Sequence, residues 1–154
     1  MTPAIRLLKK QNISFKVHQY EHDAASKSYG EEAAQKLGIA QERVFKTLVV
    51  QSEKSLAVGV VPVSKMLSLK AMAKALGVKK VAMADAKDVE NTTGYILGGV
   101  SPFGQKKRLQ VVLDKSALNY DTIFVSAGKR GLEVELSSMA FEKILGAKFE
   151  EIAN

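Results

Sequence analysis

The sequence predicts an α/β (α+β) chain with a mixed, mostly antiparallel sheet that curls toward a barrel, with helices packed outside it. Three observations lead there. Short apolar, β-rich runs recur along the 154 residues. Capped helical segments fall between them in irregular order. Short polar turns join successive strands, which disfavours an all-parallel, doubly wound sheet.

The elements follow in order. Thr2 and Pro3 have the chemistry of a helix cap and first helical residue, and Ala4, Ile5 and Leu8 then share a face. Residues 13–20, "ISFKVHQY", alternate as a strand does. Ser28 and Glu31 have capping-box spacing ahead of "EEAAQKL", and Gly38 ends that helix. "RVFKTLVVQ" and "SLAVGVVPV" are strands joined as a hairpin through "SEK". Ser68 opens "LKAMAKAL", whose Leu69, Met72, Ala73 and Leu76 share a face before Gly77. "VKKVAMA" alternates again, and Asp85 and Asp88 open a short helix. "RLQVVLD", "TIFVSA" and "LEVELS" are further strands. Ser137 or Ser138 caps a last helix that stops at Gly146, and "AKFEEI" is a short final strand. The total is about seven strands and four or five helices, in one domain spanning 1–154.

Composition narrows the function. Apolar residues make up 46% and charged residues 25%, as in a water-soluble globular chain. Aromatic residues are only 6%, so the core is mostly aliphatic. The chain has no cysteine, which excludes disulfides, a thiol nucleophile and cysteine-ligated zinc. "MTPAIRLLKKQN" has no long apolar run, so neither a signal peptide nor a membrane span is expected, and the expected location is cytoplasmic. Lys and Arg outnumber Asp and Glu by 23 to 16. That surplus favours a polyanion such as nucleic acid, although a basic surface also arises without one.

Several catalytic patterns fail. "HQYEH" at 18–22 fits an inverted zinc-protease motif, but that chemistry needs a helix. On a strand, positions four apart are about 13 Å from each other, too far to share a metal. "SAGKRG" at 126–131 lacks the first glycine of a phosphate loop, and Arg130 stands where Ser or Thr would hold magnesium. Neither G-x-S-x-G nor G-x-G-x-x-G occurs. Nothing in the sequence implies a metal or an organic cofactor.

What remains is less usual. In "RVFKTLVV", Lys46 lies among Val44, Leu48 and Val50 on one face, with Phe45, Thr47 and Val49 on the other. A buried ammonium is costly unless paired, and the alternative is a lysine reaching water at a sheet edge. Tyr20 shares a face with Ser14, Lys16 and His18. "GGVSPFGQKKR" at 98–108 and "SAGKRG" are glycine loops with cations beside them. Each is either a tight turn with solvated charges or a nest of N–H groups around an anion. Two such loops in a basic chain with a core lysine point to a phosphate-containing ligand.

Four blocks, "MTPAIRLLKK", "VFKTLVV", "TGYILGGVSPFGQKKR" and "TIFVSAGKRGLEVEL", together resemble the bacterial YbaK proteins, which are Cys-tRNA(Pro) deacylases. These are relatives of the editing domain inserted in bacterial prolyl-tRNA synthetase, and the resemblance runs nearly end to end. It implies hydrolytic editing at the 3′ end of mischarged tRNA(Pro), with prolyl-tRNA synthetase as a possible partner. The family's essential lysine falls on Lys46, its tyrosine on Tyr20, its substrate-loop glycine on Gly98 and its serine on Ser126. A family aspartate position holds Glu133, which keeps the charge on a longer arm. Gly98 and Gly99 are then expected to offer N–H groups to the aminoacyl carbonyl. Thr47, Ser101, Pro102, Gly128, Lys129 and Arg130, within the same blocks, complete the expected substrate-binding set. Met66 and Leu67 are candidates for setting pocket volume. The family's chemistry, in which the substrate's own thiol attacks its ester, agrees with a chain that brings no nucleophile. Two other functions fit the same features: a deacylase of sister specificity, acting on alanyl or another aminoacyl-tRNA, and a non-catalytic tRNA- or synthetase-binding module.

Overall fold

The computed structural model describes residues 1–26 and 28–154. In chain order the elements are α1 (Pro3–Lys10), β1 (Phe15–Gln19), α2 (Tyr29–Leu37), β2 (Phe45–Gln51), β3 (Leu56–Pro62), α3 (Leu69–Leu76), β4 (Ala82–Met83), α4 (Ala86–Thr93), β5 (Gln110–Asp114), β6 (Ile123–Lys129), β7 (Leu132–Leu136), α5 (Met139–Leu145) and β8 (Lys148–Glu150).

The helix starts are only partly as the side chains suggest. Thr2 Oγ1 accepts from Ile5 N–H at 3.3 Å and donates to Ala127 O at 2.5 Å, tying α1 to β6. Ser68 accepts from Ala71 N–H at 3.1 Å. Ser28 occupies the cap position of α2 but makes no capping bond, so the expected capping box is not formed. At α5 the capping bond comes from Ser137, whose Oγ accepts from Met139 N–H.

The curled sheet is realised as two sheets. One is antiparallel, ordered β1-β7-β6, and the other is mixed, ordered β4-β2-β3-β5-β8. The expected β2–β3 and β6–β7 hairpins both form, while β3–β5 and β5–β8 are parallel. A lone parallel bridge, Val44 to Phe124, joins the sheets, and neither closes into a barrel.

The main core lies where both sheets meet α1 and α5, with Phe45, Val60, Leu113, Val125 and Phe141 all buried. A second core, built on Met72 of α3, covers another part of the mixed sheet. A third places Ala33 and Ala34 of α2 on Val44, Val63 and Phe124, directly over the seam between the sheets. Arg43 spans that seam, donating to Thr122 O and Oγ1 and stacking on Phe124. Alternation on β6 and β7 then sends Val125, Val134 and Leu136 into the main core. His18, Glu133 and Ser126 share the opposite face through their register, His18 facing Glu133 and Glu133 facing Ser126. That face meets α2.

Candidate active site

The seam opens beneath the start of α2 into a cavity of about 340 Å³. Its polar lining comes from five places: Tyr20 after β1, Glu31 on α2, Lys46 and Thr47 on β2, Gly98 in the loop after α4, and Ser126 with Glu133 on the β6–β7 hairpin. Residues more than a hundred positions apart thus converge on one space. Phe45, Val49, Val63, Val89 and Val100 supply apolar wall.

Lys46 is half-buried, and burial lowers its pKa, with nearby Glu31 acting in the opposite sense. No direct ion pair holds its ammonium among the described residues. Beside it, Thr47 Oγ1 is buried with no hydrogen-bond partner among them. Tyr20 is partly buried, and burial together with the neighbouring Glu133 pushes its phenol up to about 12, so it stays protonated. Its backbone N–H is fixed on Gly131 O at 3.0 Å.

Glu133 is 7% exposed, and desolvation raises its pKa from 4.5 to about 8. The sequence suggests a retained negative charge at this position. The structure instead makes Glu133 a largely neutral acid near pH 7, able to donate a hydrogen bond. A consequence for stability follows. The folded state holds this proton between pH 4.5 and about 8, whereas the unfolded chain releases it. This carboxyl therefore costs stability progressively as pH rises through that window, then at a constant level above it. Glu133→Gln is expected to match wild type in urea midpoint near pH 4 and to exceed it at pH 9. A variant equally or less stable than wild type at pH 9 would show that the carboxyl is not held neutral by burial.

The two glycine loops interlock. Gly99 N–H donates to Ile96 O at 3.0 Å, and Gly98 has φ +88°, the signature of a type II turn with glycine in its third position. Arg130 Nη2 donates to Leu97 O at 2.7 Å, and its guanidinium lies 4.4 Å from the Tyr29 ring centroid. A Cβ on Gly98 would stand 2.6 Å from both Arg130 Nε and the Tyr29 ring. One on Gly99 would stand 3.1 Å from Lys129 Cα. The second loop continues the packing: Gly128, at φ +107° beside the β6–β7 bulge, abuts the Tyr95 ring, and its N–H donates to Ser126 Oγ. Tyr95 in turn closes the first loop by donating to Phe103 O at 2.6 Å.

This geometry sorts the expected site residues. Lys46, Tyr20, Thr47, Gly98, Ser126 and Glu133 line one cavity. Gly99 spends its N–H on the turn, so the expectation that it serves a carbonyl does not fit. Ser101 and Pro102 are buried away from the cavity, with Ser101 Oγ accepting from Phe103 N–H. Arg130 is committed to Leu97 and Tyr29, and exposed Lys129 lies outside the lining. Met66 is 70% exposed and bonded to Asn154, and Leu67 packs in the α3 core, so neither sizes the cavity. The residues missed by sequence reasoning are Ser28, Tyr29, Gly30 and Glu31 at the start of α2. Their signal is faint: only the unused capping pair marks them. A Cβ on Gly30 would fall 2.3 Å from Val63 Cγ1, which shows how closely α2 sits on the seam.

The "HQYEH" stretch holds no metal site. His18 bonds Glu135 at 2.9 Å, and His22 bonds Glu32 at 2.6 Å. Glu32 is buried, which alone would raise its pKa. Hydrogen bonds from His22, Asp23 N–H and Lys36 outweigh burial and hold it down to about 2. Among the described residues no cluster of three or more His, Cys, Asp or Glu side chains could hold a metal ion. No helix among them is long and apolar enough to cross a membrane.

A cavity that collects a lysine, a phenol, two carboxyl groups and a glycine turn, with no histidine in its wall, suits a domain that binds and positions a substrate. The chain belongs to the aminoacyl-tRNA editing domain family, whose model matches residues 23–144. A protein of Enterococcus faecalis named "Putative Cys-tRNA(Pro)/Cys-tRNA(Cys) deacylase EbsC" is 41% identical over 98% of this chain and 92% of its own length. A solved structure described as a "putative trans-editing enzyme for prolyl tRNA synthetase" superposes with TM-score 0.86 at 24% identity, covering 100% of this chain and 99% of that one. The structure of hypothetical protein APE2540 reaches TM-score 0.89 at 23% identity, over 99% of this chain and 100% of its own. These two likenesses establish the fold.

Proposed function

We propose that this chain is a trans-editing deacylase, acting in the cytoplasm, that removes cysteine from mischarged tRNA(Pro). The observation that carries the reading is the cavity's chemistry. It gathers positioning groups and hydrogen-bond donors but no activated nucleophile. Among the described residues, no base bonds Ser126, Thr47 or Ser28 within it, and both histidines are engaged elsewhere. Such a site suits a substrate that supplies its own attacking atom. A free thiol has a pKa of about 8.5, so some thiolate is present near neutrality.

In the proposed reaction the cysteinyl sulfur attacks the carbonyl carbon of its own ester. The carbon–oxygen bond to the ribose breaks, and the thiol proton ends on the ribose hydroxyl. The products are a cyclic thiolactone and uncharged tRNA. Gly98 N–H, which has no protein acceptor among the described residues, faces the developing oxyanion. Lys46 holds a phosphate or the ribose of the terminal nucleotide. Tyr20 and neutral Glu133 donate hydrogen bonds, and Ser126 and Thr47 fix the nucleoside or amino acid. A neutral Glu133 also avoids repelling the thiolate. Discrimination by thiol chemistry exceeds what size alone gives, since one methylene is worth only about 1–3 kcal/mol. Prolyl-tRNA synthetase is the natural source of specificity for tRNA(Pro).

The test is ester loss from preformed Cys-, Ala- and Ser-tRNA(Pro). Fast loss from the cysteinyl ester alone is expected. Faster loss from the alanyl ester would move the protein to a sister specificity. No loss from any ester, with tRNA still bound, would make it a binding module.

A further inference from the structure

The cavity accounts for one acylated nucleotide and leaves the rest of the RNA without a place. Most of the basic side chains stand outside the cavity. Five of them surround the turn between β2 and β3: Lys54 on the turn, Lys79 and Lys80 before β4, and Lys107 and Arg108 before β5. All five are exposed, and none forms an ion pair among the described residues. They line two depressions, of about 1000 and 570 Å³, that share the turn residues Gln51–Ser55 as a common wall. The carboxylates lining the same depressions are Glu53 and Asp88, so the rim carries a clear positive excess.

Two features make this more than a scatter of lysines. Backbone bonds from Lys106 and Lys107 N–H to Thr93 and Thr92 O anchor the "QKKR" segment at the end of α4. The strand β4 also joins the rim to the cavity. Ala82 lines the larger depression, and Met83 and Ala84 line the cavity, with Ala84 N–H bonded to Val49 O. Lys80 stands three residues before Met83, at most about 10 Å away even in extended chain. Lys79 and Lys80 line the depression that β4 borders, and Lys54 lines both depressions, linking them to Lys107 and Arg108.

We infer that the cationic rim around the β2–β3 turn binds the RNA phosphate backbone upstream of the acylated nucleotide. The inference rests on the editing reading. It gives Lys107 and Arg108 of "QKKR" a place outside the cavity, since both line the rim.

The experiment compares Lys79→Glu/Lys80→Glu and Lys107→Glu/Arg108→Glu with Lys9→Glu/Lys10→Glu, an equal charge change on exposed α1 residues. Binding of uncharged tRNA(Pro) is read by fluorescence anisotropy across a salt series. Turnover is read on full Cys-tRNA(Pro) and on a cysteinylated CCA trinucleotide. Each rim variant is expected to weaken tRNA binding about tenfold or more and to flatten the salt dependence, since fewer counterions are released. KM on full tRNA rises, kcat holds, and the trinucleotide is cleaved as by wild type. Unchanged tRNA binding, or an equal loss in the α1 variant, would overturn the proposal. So would a rim that loses affinity only for an acidic protein such as a synthetase. Weakened tRNA binding in a protein that cleaves no ester would keep the rim and overturn the editing reading.

Discussion

Lys46→Met is expected to lower kcat/KM for the proposed ester substrate by about 100-fold or more while leaving the fold intact. The functional half of this follows from the role proposed for the ammonium. A substrate misplaced by about 1 Å reacts on the order of 100-fold more slowly, and methionine fills the stem's volume without the charge that holds the terminal nucleotide. The stability half follows from position. Burial lowers the Lys46 pKa, so the folded state gives up solvation to keep this ammonium, with nearby Glu31 acting in its favour. Removing it costs no paired interaction, and the melting temperature is expected to hold or rise. Full activity in a well-folded Lys46→Met protein would remove lysine from the mechanism. A large fall in melting temperature would mean that the ammonium has a structural partner.

Gly98→Ala is expected to be as severe for activity and, unlike Lys46→Met, to be destabilising. Two separable effects combine. An alanine at φ +88° carries backbone strain of about 1–2 kcal/mol. Its methyl would also stand 2.6 Å from Arg130 Nε and from the Tyr29 ring, so the Leu97–Gly98 turn must part from those two side chains. A displacement of about 1 Å at a reacting group costs on the order of 100-fold in rate. Gly38→Ala separates the effects. Gly38 has φ +68° with nothing within 4 Å of its missing Cβ, so that variant has the strain alone and should keep its activity. If Gly98→Ala behaved like Gly38→Ala in both stability and turnover, the interlocked loops would not position the site.

Local chemistry was readable in the sequence, and long-range packing was not. The Thr2 and Ser68 caps, the β2–β3 hairpin and the polar face carrying His18 and Tyr20 depend on neighbours a few residues away, where spacing is informative. The parallel β3–β5 pairing joins residues some fifty positions apart, with α3, β4 and α4 between them, so no turn announces it. The seat of α2 over the seam depends on Gly30 against Val63, and glycine there reads only as a weak helix former. Charge misled in two places. Arg130 looks like a phosphate ligand beside glycines, yet its guanidinium spans Leu97 O and Tyr29. Glu133 looks like a retained anion, yet the cavity desolvates it into a neutral acid. Lys46 was legible because a lysine within an apolar strand conflicts with the rest of its local pattern. Such conflicts concentrate at functional sites.

In the proposed reaction the substrate, and not the protein, supplies the nucleophile. The most direct measurement is the single-turnover rate on Cys-tRNA(Pro) beside S-methylcysteinyl-tRNA(Pro), which has nearly the same size but no thiol. The cysteinyl ester is expected to be cleaved rapidly and the S-methyl ester no faster than without protein. Comparable cleavage of both would contradict the claim and place the attacking atom on a water or on a side chain of the cavity.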